Sequence, residues 1–201
     1  MIAKSTVHNT RLFNKAGNLK NSKKAFPIIL EAARESDLLG QGLLGFCYIR
    51  GLGVARNPQK AVKWLSMAAR RGDTDSMFNL ALIFEVGDGV PHNNRRALKW
   101  YLQAARKGDP KAQMNLGLMY LQGIGVRKAP AQGIAWLRKA ASKGHPRAMY
   151  NLGEAYASGA SGRKNLPAAL RQYRKAALLG NANARKRLTE AGEQLENASA
   201  T

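Results

Sequence analysis

Few side chains in this chain have the chemistry for a reaction. Cys47, between Phe46 and Tyr48, is its one thiol, and His8, His92 and His145 are its imidazoles. A nucleophile needs a base beside it, and a metal needs three or four converging ligands. His92 sits in a glycine-rich turn, and His145 stands where sister segments carry Asp, so neither has a companion acid, base or ligand. Cys47 reads as a buried small hydrophobe. Gly51-Leu52-Gly53, Gly87-Asp88-Gly89 and Gly123-Ile124-Gly125 are spaced like phosphate-cradling loops. A dinucleotide fingerprint, however, needs a preceding strand and a third glycine three residues on. Both are missing, and turns between helices explain all three. No Ser-His-Asp order, HExxH, P-loop or carboxylate pair can be assembled. These residues predict no catalytic site, no metal site and no cofactor.

Positive charge is abundant. The 201 residues carry 33 Lys and Arg against 12 Asp and Glu, a net +21. Glu190, Glu193 and Glu196 follow Leu188 where no cation remains, which leaves nine carboxylates against 33 cations in the body. Apolar content of 45% is enough for a continuous core and excludes a disordered chain. A single cysteine excludes an internal disulfide framework. No stretch has signal-peptide character or approaches the roughly 18 apolar residues that span a bilayer. The expectation is a soluble cytoplasmic protein.

An internal period organises the chain. Leu44, Leu80, Leu116 and Leu152 fall 36 apart without insertion, as do Gly51, Gly87, Gly123 and Gly159, and Gly72, Gly108, Gly144 and Gly180. The pairs Ala68-Ala69, Ala104-Ala105, Ala140-Ala141 and Ala176-Ala177 form a further column. One period earlier lies a degenerate unit, with Gly17 under Gly53, Ala25 under Ala61, Ile28 under Trp64, and Ser36 where glycine would stand. The boundaries that follow are an extension over 1–10, a degenerate repeat over 11–37, full repeats over 38–73, 74–109, 110–145 and 146–181, a capping helix over 182–196 and a frayed tail over 197–201. Residues 11–196 form one domain in this reading.

Each unit reads as helix, glycine turn, helix. Ser76 to Phe84 is an apolar stretch of helical length, and Arg95 to Lys107 places Ala97, Trp100, Tyr101, Ala104 and Ala105 at helical spacing. Asp73, Asp109, His145 and Asn181 follow the terminal glycines as N-caps, with Pro110 and Pro146 next, and the glycines suit left-handed C-caps. Asn57-Pro58, Asn93 and Ala129-Pro130 open the second helices, although Ala129 has no capping oxygen. Gly45, Gly117 and Gly153 are small where helices approach closely. Trp64, Trp100 and Trp136 are assigned to the packing column as large fillers, where they cannot stack on bases. The fold class is all-α, an α-solenoid of helix-turn-helix repeats.

The segments LGFCYIRGLGVARNPQKAVKWLSMAARRGD, LALIFEVGDGVPHNNRRALKWYLQAARKGD, LGLMYLQGIGVRKAPAQGIAWLRKAASKGH and LGEAYASGASGRKNLPAALRQYRKAALLGN each resemble the Sel-one-like repeat, a relative of the tetratricopeptide repeat. Leucine, aromatic, turn glycines, tryptophan, alanine pair and final glycine recur in order. The fourth segment departs, with Gln172 for tryptophan and Ser161 for the second turn glycine, as befits a capping repeat. The resemblance implies a right-handed superhelix serving as a non-enzymatic adaptor for other proteins, often in bacterial settings, with no fixed ligand.

Residues one period apart stack into surface columns. On the first helices Phe46, Leu82, Leu118 and Glu154 form one column, Phe78, Met114 and Tyr150 another, and Asn79, Asn115 and Asn151 lie alongside. They read either as a peptide groove, with amides bonding a partner backbone and apolar residues accepting its side chains, or as plain inter-repeat core. On the second helices Lys60, Lys63, Arg71, Arg96, Lys99, Lys107, Lys139, Lys143, Arg171 and Lys175 read as a basic band. Solubility explains a charged face but not its sign, because acidic residues serve solubility at least as well. An acidic protein or peptide is the expected partner. A nucleic acid held by its phosphates is the alternative, and an anionic membrane surface is a weaker third.

Overall fold

The computed structural model describes residues 22–87, 89–160 and 162–199, with side chains from Lys23 to Gly192 apart from Asp88 and Ser161. The expectations for residues 1–21, including His8 and the start of the array near Arg11, for Asp88 and Ser161, and for residues 200–201 lie outside them. Among the described residues there are ten helices and no strand: α1 (Ser22–Arg34), α2 (Leu38–Arg50), α3 (Pro58–Arg70), α4 (Thr74–Val86), α5 (Asn94–Arg106), α6 (Pro110–Gln122), α7 (Pro130–Ser142), α8 (Pro146–Ser158), α9 (Leu166–Leu178) and α10 (Ala182–Ser199). The capping helix α10 thus runs three residues past the expected end at Glu196. Contacts divide the chain into two compact units, one reaching Ala104 and the other beginning at Ala105.

Short-range hydrogen bonds explain why the helices start and stop where they do. A helix leaves its first amides without partners, and a short polar side chain just before it satisfies one. Asp37, Asp73 and Asp109 accept from the amides of Gly40, Ser76 and Ala112 at 2.6, 2.8 and 2.6 Å. His145 does the same for Ala148 through Nδ1 at 3.2 Å, and Asn181 for Ala184 at 2.9 Å. Asn57, Asn93 and Asn165 cap the second helices, while Ala129 makes no side-chain cap. Each first helix of the full repeats ends on a left-handed glycine (φ 67°, 74°, 78° and 70° at Gly51, Gly87, Gly123 and Gly159). The turn then closes by one recurring bond, from Asn57, Asn93, Ala129 and Asn165 N–H to the carbonyls of Tyr48, Phe84, Tyr120 and Tyr156. Ser36, where sister repeats have glycine, still adopts φ 62°, the one positive value among described residues other than glycine.

In the first unit α1 packs on α2, α2 on α3 and α3 on α4. In the second, α6 packs on α7, α7 on α8, α8 on α9 and α9 on α10. Both are stacks of helix-turn-helix hairpins, the all-α solenoid class. The alanine pairs are buried apart from Ala177, which is half-buried, and Leu44, Leu80, Leu116 and Leu152 are buried with them. Close approach needs glycine at particular points: a Cβ on Gly45 would lie 2.5 Å from Leu65 Cγ, and one on Gly153 would lie 2.4 Å from the Tyr173 ring.

That contact corrects the assignment of the tryptophans. Trp64, Trp100 and Trp136 are half-buried, and the fully enclosed position is the next one, held by Leu65, Tyr101, Leu137 and Tyr173. One residue of helix is about 100° of rotation. The small residues Gly45, Ala81, Gly117 and Gly153 on the facing helices open the slot opposite the second of the two positions, which leaves part of each indole at the surface.

Candidate functional site

The first-helix columns divide by burial. In the first unit Phe46 and Asn79 are half-buried, and Leu82 is 42% exposed. Phe78 turns onto the second helix of its hairpin, its ring centroid 5.7 Å from that of Tyr101. In the second unit Asn115, Leu118 and Asn151 are half-buried and Met114 is buried. Tyr150 packs 5.9 Å from the Tyr173 ring. The column Phe78, Met114, Tyr150 therefore supports the hairpins, and the accessible strip of each unit is made by the asparagines with Phe46 and Leu82, or with Leu118.

Glu154 ends the apolar column and is fully occupied. It accepts from the Tyr173 hydroxyl and from Nε and an NH2 nitrogen of Arg187 on α10, both at 2.9 Å. Burial and then the bond to Glu154 push the Tyr173 phenol well above its ordinary value, and Arg187 is raised by its own bonds to Glu154 and then Glu190. A bidentate guanidinium–carboxylate pair fixes orientation as well as distance, so this contact sets how α10 lies on α8. A cavity of about 320 Å³ beside it is lined by Glu154, Leu166, Leu170, Tyr173, Arg187 and Glu190, among others.

All ten cations of the basic band are exposed. The carboxylate pairs found among the described residues are Arg187 with Glu154 and Glu190, and Lys186 with Glu190, so no member of the band has an acidic partner there. In the first unit the band's doubled columns, Lys60 with Arg96 and Lys63 with Lys99, lie in the first half of the second helices. In the second unit the doubled columns, Lys139 with Lys175 and Lys107 with Lys143, lie toward or just past their ends.

Aromatic rings hold several of these cations. Lys60 Nζ stands 5.6 Å from the Tyr48 ring centre, the Arg96 guanidinium 4.2 Å from Phe84 and Lys139 Nζ 4.2 Å from Trp136. Such contacts fix a charge in position without neutralising it. Arg71 and Lys143 instead reach back one repeat, to the carbonyls of Ser36 and Gly108. The sequence reading missed that role. Its signal was available in the cations just before the terminal glycines, Arg71, Lys107 and Lys143.

The residues with reactive potential do not converge. Burial raises the Cys47 thiol, which makes it a poorer nucleophile. Burial first, then the Arg147 charge, lowers His145, whose Nδ1 is engaged as a helix cap. His92 is exposed. Among the described residues no cluster of three or more His, Cys, Asp or Glu could hold a metal ion, and no helix is long and apolar enough to cross a membrane.

Comparison with known proteins extends this geometry. Residues 39–73, 74–109, 110–145 and 146–181 each match the Sel1 repeat. A protective antigen of uropathogenic Escherichia coli with an SLR fold is 31% identical and superposes with a TM-score of 0.78, over 84% of this chain and 36% of that one. The chain thus spans about a third of that antigen's length. A Sel1 repeat protein from Oxalobacter formigenes is 35% identical with a TM-score of 0.77, over 84% of this chain and 69% of that one. The cysteine-rich protein B of Helicobacter pylori is 25% identical with a TM-score of 0.51, over 66% and 95%. No curated protein matches the chain. Stacked hairpins, left-handed glycine turns, alanine pairs and four matched repeats lead to one conclusion: the chain belongs to the Sel1 repeat family, whose members generally serve as non-enzymatic protein–protein interaction scaffolds.

Proposed function

We propose that this protein is a non-enzymatic cytoplasmic scaffold that docks an acidic protein or peptide, with the second-helix cations steering the partner and the exposed Leu82 and half-buried first-helix asparagines and Leu118 contacting it. The observation that carries this reading is the starvation of acid in the last two repeats. Residues 110–181 hold twelve Lys and Arg and a single carboxylate, Glu154, which Tyr173 and Arg187 already occupy. Like charges repeated one hairpin apart, as at Arg138 and Arg174 or Lys139 and Lys175, repel one another, and interspersed signs would keep the surface soluble without that cost. An anionic partner offsets the repulsion and gains in association rate.

A nucleic acid backbone is the second reading. The half-exposed Trp136 beneath Lys139 favours it, since an accessible indole beside a cation is a stacking platform. Capture from lysate by the purified chain, with and without nuclease, separates the two. A stoichiometric acidic protein that survives nuclease and is lost when Lys63, Lys99, Lys139 and Arg171 are all replaced by Glu supports the scaffold. Loss of every partner on nuclease treatment, or capture indifferent to the four replacements, overturns it.

A further inference from the structure

The second unit contains two seams between a second helix and the first helix that follows, and they are filled differently. At the α7–α8 seam Arg138 donates from Nε to the hydroxyl of Tyr156 at 2.8 Å, and its guanidinium stands 5.8 Å from the centre of that ring. One repeat on, Arg174 of α9 holds the place of Arg138, but Gly192 stands where Tyr156 was and Arg185 where the buried Met149 was. The α9–α10 seam holds an open groove of about 570 Å³ lined by Arg174, Ala177, Leu178, Arg185 and Leu188.

The composition of the groove is unlike that of a solubilising cap. Where the sister repeats carry Arg70-Arg71, Arg106-Lys107 and Ser142-Lys143, this one carries Leu178-Leu179, and Leu178 is 86% exposed. Neither Arg174 nor Arg185 has a carboxylate within 4 Å among the described residues; of the acids whose side chains are described in this unit, Asp109 bonds the Ala112 amide, and Glu154 and Glu190 bond Arg187. An apolar floor between two unpaired guanidiniums is the arrangement of a binding hot spot. The sister seam shows what fits against this guanidinium, a ring or apolar side chain accompanied by an acceptor oxygen.

We infer that the α9–α10 groove anchors an acidic peptide segment of the partner. One aromatic or leucine side chain rests on Ala177, Leu178 and Leu188, and flanking carboxylates bond Arg174 and Arg185. This rests on the acidic-partner reading above and gives that partner a sequence character, an apolar anchor between acids.

Panning a phage-displayed dodecapeptide library on the full chain tests it, followed by fluorescence anisotropy of the enriched peptide carrying fluorescein. The decisive variant is Gly192→Tyr, which supplies the plug that Tyr156 provides in the sister seam. A Cβ there meets nothing within 4 Å, and tyrosine is the better helix former, so the chain keeps its fold. The expected result is enrichment of Tyr, Phe or Leu among Asp and Glu, with affinity reduced about tenfold or more by Gly192→Tyr and by Arg174→Glu with Arg185→Glu. Peptides without this pattern, binding that survives Gly192→Tyr, or equal competition by polyglutamate or single-stranded DNA overturns the inference. So does sedimentation showing a dimer that Gly192→Tyr dissociates, which would make a second copy the occupant. If the four-site charge reversal abolishes capture of the acidic partner while Gly192→Tyr leaves it intact, the groove falls and the scaffold reading stands.

Discussion

Arg71 and Lys143 occupy the same place two repeats apart and differ in what they satisfy. Arg71 donates through NH1 both to the Ser36 carbonyl and, at 3.2 Å, to Oε1 of the buried Gln41. Lys143 reaches the corresponding carbonyl of Gly108 at 2.5 Å, while Oε1 of Gln113, the counterpart of Gln41, is buried without a partner. A guanidinium is a fork and an ammonium is a point, and an unpaired buried acceptor carries a desolvation cost.

Lys143→Arg is therefore expected to stabilise the protein by about 1 kcal/mol, the low end for satisfying a buried acceptor, because the donor is exposed. Urea and thermal denaturation measure it, the latter as a rise of about 2–4 °C. The control is Gln113→Met, the residue found at this position as Met77 and Met149. In that background Lys143→Arg has no acceptor to satisfy, so an equal gain there would show that Gln113 is not the cause.

Tyr101 should matter more than its neighbour. Its ring is fully enclosed and its hydroxyl donates to Glu85 at 2.6 Å. Tyr101→Ala is expected to cost about 3–5 kcal/mol, the range for truncating a buried large aromatic. Trp100→Ala, at a half-buried ring, should cost less than half as much in the same urea titration. The reverse order would return the tryptophan to the core.

His145 makes stability depend on pH. Protonating Nδ1 removes the acceptor for the Ala148 amide and puts a positive charge at the positive end of α8. The folded pKa lies below the ordinary 6.5, so the unfolded chain takes up the proton first as pH falls. This contribution is complete above 6.5 and is lost as pH drops through the folded value. His145→Asp, the cap used at Asp73 and Asp109, should flatten the wild-type decline in urea midpoint between pH 7.5 and 5.5. At pH 7.5 it should add about 1 kcal/mol, the usual worth of a good cap. A decline of equal steepness in the variant would assign the pH dependence to other groups.

Much of the architecture was legible in the residues alone. The 36-residue spacing, the caps at Asp73 and Asp109, the left-handed glycines and the missing cap at Ala129 are governed by bonds spanning three to five residues, so local sequence determines them. The family resemblance rested on the same positions. The accessible columns were less legible: Phe78, Met114 and Tyr150 share a periodicity with Asn79, Asn115 and Asn151, and only the structure sets Phe78 on the Tyr101 ring, Tyr150 on the Tyr173 ring and Met114 in the core.

Tertiary structure decided what adjacent positions cannot. Trp136 and Leu137 are both large, apolar and at helical spacing, and the facing Gly117, whose Cβ would lie 2.9 Å from Leu137 Cγ, determines which of them is enclosed. Arg71 and Lys143 look like surface charge until the preceding repeat brings a carbonyl to each. Arg138 and Arg174 are identical in sequence role, but Tyr156 closes one seam and Gly192 leaves the other open. A period specifies which residues recur. What each one touches depends on the group across the interface, which stands 18 residues away in the chain for Arg138 and 35 for Arg71.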